Sequence, residues 1–173
     1  MAKMTITEAL GEIRTIQKRL LKKAEFIQEH LARASSMVDP LVGAGGSEKA
    51  VREARQAFGD LQERLILLRA AVQKSNLEAK VTVDNETRTV SEWFIIKRDV
   101  LSQRGQLLSQ MSSRLSQGRA ELAKHTQDSE RDVQFISHVD EKDLAQLVEH
   151  HQKICGDVDT QLSLSASTVT ISV

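Results

Sequence analysis

The chain has no tyrosine, one tryptophan, one proline and one cysteine in 173 residues, and aromatics make up only 3%. Each shortage excludes something. With Cys155 alone, no intramolecular disulfide framework can form, and the chain suits a reducing compartment. One proline and eight glycines leave long stretches unpunctuated, which predicts few and long elements. With so few rings the core must be aliphatic, as in helical bundles and coiled coils. The longest apolar runs, Leu65 to Leu68 and Trp93 to Ile96, are far shorter than the roughly 18 residues of a membrane span. The first ten residues also lack the apolar segment of a cleaved secretion signal. No membrane span is expected, and the chain reads as cytoplasmic unless it belongs to a virion.

Net charge is missing too, since 24 basic residues balance 24 acidic ones. A neutral chain is a poor general polyanion binder, because phosphate backbones are held by an excess of Lys and Arg; no nucleic-acid partner is expected. The charges are unevenly spread. From His125 onward three basic residues (Arg131, Lys142, Lys153) face nine acidic ones, a net of −6 that leaves +6 on the rest. A basic body and an acidic tail could attract copies of the chain head to tail.

What the chain has in abundance is helical periodicity. Val51, Ala54, Phe58, Leu61, Leu65, Leu68 and Val72 fall at alternating steps of three and four, a heptad stripe that predicts an amphipathic helix over 47–79 laid along other helices. A first helix over 5–34 follows from the Thr5 and Glu8 capping box and from Leu10, Ile13, Ile16, Leu20, Ala24, Ile27 and Leu31. Residues 35–46 hold the only proline and three glycines and read as a linker, after which Ser47 is expected to cap the central helix. Without a following Gly-Lys-Ser/Thr, this glycine-rich stretch is a weak phosphate-loop candidate.

Residues 80–90 alternate β-branched and polar side chains around Asp84 and Asn85, which reads as a short hairpin. Its strands are far shorter than the roughly nine to eleven residues of a membrane barrel strand. Thr89 and Glu92 form another capping box for a helix over 91–124, in which Phe94, Leu101, Leu108, Leu115 and Leu122 recur every seven residues. This helix is expected to pack antiparallel on the one before the hairpin. A loop and an extended segment over 125–139 precede a helix over 140–163, with Asp140 and Asp143 placed to favour its N-terminus. Val169, Ile171 and Val173 alternate as in a strand over 167–173, expected to pair with the 133–139 segment, the hairpin or a neighbouring subunit, and so a possible subunit contact. The fold expected is mainly α: a single domain, an elongated antiparallel bundle or coiled coil of about four helices with a small β element.

Candidate chemistry is sparse. His151 and Cys155 lie four apart on one helical face beside His150, but a structural zinc site takes four ligands and a catalytic one three. The other histidines, at 30, 125 and 138, are not spaced as ligands, so the pair reads as packing residues and neither metal nor cofactor is expected. No Gly-x-Ser-x-Gly or local cysteine signature supports nucleophilic catalysis. No small-molecule substrate or catalytic residue is identified, and the chain reads as not an enzyme.

Four stretches together resemble a small uncharacterised family of bacterial and phage coiled-coil proteins, some members of which carry the label septicolysin. They are Glu8 to Leu10 followed by Ile16 to Leu20; Val72 to Asn76; Trp93 through Arg98, Asp99, Val100 and Leu101; and Phe135 to Asp140 leading to Leu144. Where that family has a turn glycine in the hairpin, this chain has Asp84, Asn85 and Glu86, which leaves the turn type open. The resemblance implies long antiparallel helices, a small β element and oligomerisation, and it brings no catalytic residue. The function expected is a structural or assembly protein that associates with itself, or with other structural proteins, through helical stripes and a terminal strand; a phage virion component would fit. The alternatives are a membrane-active, cytolysin-like protein, as the label implies, and an intracellular coiled-coil adaptor.

Overall fold

A computed structural model describes residues 3–128 and 135–172, the side chains of 125–128 excepted. Strand β1 (Lys3–Thr5) leads into helix α1 (Ile6–His30), a short 3-10 turn (Val42–Ala44) and helix α2 (Ser47–Glu78). Strands β2 (Lys80–Val83) and β3 (Glu86–Thr89) then lead into helix α3 (Val90–Ile95), a π-helical turn (Ile96–Leu101) and helix α4 (Ser102–Asp128), followed by α5 (Glu141–Thr168) and strand β4 (Thr170–Ser172). Helix α3, the π turn and α4 follow one another without a break, so the described residues form four helical rods and two small antiparallel strand pairs in a mainly α fold. The chain divides into two compact units, Met1–Glu78 with Ala166–Val173, and Ala79–Ser165.

In the first unit, the expected capping box starts α1: Thr5 N–H donates to Glu8 Oε2 at 2.7 Å and Glu8 N–H to Thr5 Oγ1 at 3.2 Å. Those bonds favour the ionised carboxylate and hold the Glu8 pKa below its ordinary value. Helices α1 and α2 run antiparallel, since Glu12 meets Arg64 while Phe26 lies near Ala57. Their core is Ile6, Ala9, Ile13, Ile16 and Leu68, flanked by Leu20, Leu61, Leu65 and Val72. It sits at one end of the pair, because no residue of α1 beyond Ile16 is fully buried.

The terminal strand closes that end within the chain. β4 pairs antiparallel with β1, Met4 opposite Ile171, and Ile171 enters the same core. This corrects the expected pairing with the 133–139 segment, the hairpin or another subunit. Lys3 to Thr5 is too short for a legible alternation, so the true partner gave no signal. Helix α5 also runs on to Thr168, which leaves only Thr170–Ser172 as strand.

In the second unit, the β2–β3 hairpin turns through Asp84 and Asn85, both at positive φ (49° and 66°), the two-residue turn whose twist matches the flanking strands. Val81 and Val83 point inward and join Val90, Trp93, Leu101, Val158 and Leu162. Trp93 Nε1–H donates to the Val81 carbonyl at 3.0 Å, which satisfies both buried groups. The α3–α4 rod and α5 run antiparallel, shown by the ion pairs Lys97–Asp159 (2.5 Å) and Arg119–Glu141.

Two expectations fail here for identifiable reasons. The heptad back from Leu101 leads to Phe94, yet Trp93 is 4% exposed and Phe94 is 48% exposed. The π turn winds one extra residue into the helix, so the inward position lies eight residues before Leu101 instead of seven. Residues Phe135 to Val139 are not a strand, and α4 continues to Asp128 beyond the expected stop. Val133 lies outside the described residues.

Candidate interaction surfaces

Arg19, Lys22, Lys23 and Phe26 occupy steps of three and four along α1, so their side chains share one face. Opposite them α2 supplies Ala57, Asp60 and Leu61, and the two walls enclose a depression of about 680 Å³. Its floor is apolar (Phe26, Ala57, Leu61) and three of its rim groups are cations. Asp60 accepts from Gln56 Nε2 at 2.9 Å, while no ion pair engages Arg19, Lys22 or Lys23 among the described residues. Further along α2, Arg64 donates to both Glu12 oxygens at 2.8 and 3.3 Å; this bidentate contact raises the Arg64 pKa. The Phe26 ring meets His30 edge to face at 4.6 Å.

The glycine-rich stretch answers the phosphate question. At the N-terminus of α2 the anion is the chain's own Asp39, which accepts from Ser47 N–H (2.8 Å), Ser47 Oγ–H (2.5 Å) and Leu41 N–H (2.9 Å). The Ser47 hydroxyl bond, then the Ser47 and Leu41 amides, lower its pKa to about 2. Ser47 is therefore the first helical residue and not the cap; Asp39 satisfies its amide instead. Gly45 and Gly46, at φ of 91° and 90°, make the tight return to this contact, and their amides bond back to Val42 and Leu41 carbonyls. A phosphate would have to displace a carboxylate already held.

A second surface follows from the π turn. With the extra residue counted, Ile95, Val100 and Leu107 fall on one outer face of the α3–α4 rod. They are 50%, 54% and 56% exposed. Helix α2 also carries outward Ile66, Ala70 and Leu77 at helical spacing, all exposed.

The helix-packing stripe expected on α2 is largely where the periodicity put it. Ala54 and Leu68 are buried, Leu61, Leu65 and Val72 pack on the core, and Val51 and Phe58 are half-buried. Of the proposed contact strand, Val169 packs on the first core and Ile171 is inside it; Val173 lies outside the described residues. Among the family-like positions, Asn76 is half-buried on α2, and Arg98 makes a two-toothed contact with Asp99 at 2.7 and 2.9 Å inside the π turn. Asp140 caps α5 by accepting from Lys142 N–H (2.7 Å) and Asp143 N–H (3.3 Å). Phe135 lies over Gly118, where an added Cβ would come within 2.7 Å of its ring.

His151 and Cys155 do meet, Nε2 to Sγ at 3.6 Å, beside Gly105, whose missing Cβ would stand 2.9 Å from that nitrogen. Among the described residues no cluster of three or more potential ligands surrounds any point, so a metal has two donors at most here. The groove itself escaped the sequence reading. Its signal was present as Arg19, Lys22, Lys23 and Phe26, but these positions sit beside the apolar stripe and read as its solvated flank.

No family model matches the chain, and no curated protein matches it in sequence. A crystal structure of a functionally unknown conserved protein from Corynebacterium diphtheriae is similar, with a TM-score of 0.58 over 99% of this chain and 100% of that one, at 13% identity. At that identity the likeness shows a shared fold and nothing of activity.

Proposed function

We propose that this chain is a non-enzymatic structural protein that self-associates through the outer faces of its helices. One observation carries the reading: Ile95, Val100 and Leu107 form a stripe on the α3–α4 rod, each about half exposed. Burying such a stripe removes apolar surface from water. The outward residues of α2 offer a further face of the same kind. The assembly uses helical faces and not the terminal strand, whose pairing is met by β1. An ordered ring or lattice built this way would suit a virion component, which electron microscopy of the assembled particle would display.

Size-exclusion chromatography with light scattering tests the proposal. A discrete oligomer is expected at low and high salt alike, since apolar burial is not screened. The double variant Val100→Glu with Leu107→Glu is expected to run as a monomer with unchanged helix content. An oligomer unaltered by that variant would contradict the assignment of the stripe.

A further inference from the structure

We infer that the groove between α1 and α2 is a docking site for an acidic amphipathic helix. The groove has the shape of a helix seat. Both walls are helices running antiparallel, and their lining residues recur at three and four along Arg19 to Phe26 and Ala57 to Leu61. A third helix laid in such a groove meets side chains at its own spacing, the helix-in-groove mode of recognition.

The floor also lacks a cover. The fully buried residues of α1 stop at Ile16, and Phe26, Ala57 and Leu61 are only half-buried. Two helices alone leave an apolar seam open on its side; an apolar stripe on a third helix covers it.

Charge then selects the partner. Arg19, Lys22 and Lys23 stand around that floor with no ion pair among the described residues, while Asp60 is engaged by Gln56 and Glu12 by Arg64. Gln56 is neutral and leaves the Asp60 charge in place, so the groove sets one carboxylate against three cations and its excess charge lies with the cations. Carboxylates on the flanks of the incoming helix would meet them, which raises the on-rate and excludes basic helices. A simple anion would leave the floor uncovered, and a neutral apolar helix would leave three cations facing a desolvated edge.

The inference is independent of self-association through Ile95, Val100 and Leu107, because it concerns the first unit of the chain and a different set of residues. Two synthetic peptides of about five helical turns test it, both with leucine at the heptad a and d positions, one flanked by glutamate and the other by lysine. Fluorescence anisotropy against the full chain is expected to show the glutamate peptide binding at least tenfold tighter. The double variant Lys22→Glu with Lys23→Glu is expected to invert that preference. A gain of affinity for the lysine peptide requires a folded groove, so loss of structure cannot imitate it. Equal binding of both peptides, binding of neither, or a preference unchanged by the double variant would overturn the inference.

Discussion

The two antiparallel helix pairs close their seams by different means. Between α1 and α2 the contact is a heptad stripe of aliphatic side chains, sealed at the end where Ile171 joins Ile6, Ala9 and Leu68 and open along one side beyond Ile16. Between α4 and α5 the contact is made by shape. Gly105 receives His151 of α5 and Gly118 receives Phe135 of the segment leading into α5, while Lys97–Asp159 and Arg119–Glu141 span the rims. A stripe of similar-sized residues leaves its flanks free for a third helix, whereas a ring set against a glycine takes the space that a side chain would occupy.

The largest expected effect comes from removing what anchors the second unit. Trp93→Ala loses a buried indole and leaves the Val81 carbonyl without its donor, at a cost of about 3–5 kcal/mol in urea unfolding followed by circular dichroism. A loss under about 1 kcal/mol would mean that the indole is not the anchor of this core.

The contrast is sharpened by one substitution made in each unit. Gly118→Ala places a methyl 2.7 Å from the Phe135 ring and is expected to destabilise by about 1–3 kcal/mol, as overpacking does. Gly59→Ala on α2 meets nothing within 4 Å and is expected to stabilise by about 0.5–1 kcal/mol through helix propensity alone. Midpoints from the same denaturation series decide it; shifts of equal sign at both sites would erase the distinction.

The smallest effect is local and depends on pH. Asp39 has its pKa lowered to about 2 by its bonds to Ser47 and Leu41, below the ordinary value of about 4. The stabilisation is therefore fully present above about pH 4 and lost as pH falls through about 2. Asp39→Asn is expected to weaken amide exchange protection at Leu41 and Ser47 at neutral pH, and to differ little from the parent chain near pH 2. A constant difference across that range would show that the carboxylate charge has no part in the cap.

Much of this architecture was legible because it is local. The α2 heptads, the two threonine capping boxes and the Asp84–Asn85 turn each depend on residues within a few positions, and each stands where it was expected. What was not legible depends on distance or on a count. Asp39 lies eight residues before the Ser47 it caps, and β1 finds β4 across almost the whole chain. The π turn adds one residue to a helix whose sequence still reads as regular heptads, so the inward ring moved from Phe94 to Trp93. The groove was invisible for a related reason: Arg19, Lys22 and Lys23 look like any solvated flank until Ala57 and Leu61 are brought opposite them.

The same one-residue shift brings Ile95 onto the outer face of Val100 and Leu107, and the account of this protein as an assembling scaffold rests on that stripe. Light scattering across a concentration series, on the parent chain and on Val100→Glu with Leu107→Glu, tests it most directly. The account predicts a parent oligomer of defined mass and a monomeric variant. A parent chain that stays monomeric at every concentration would contradict it.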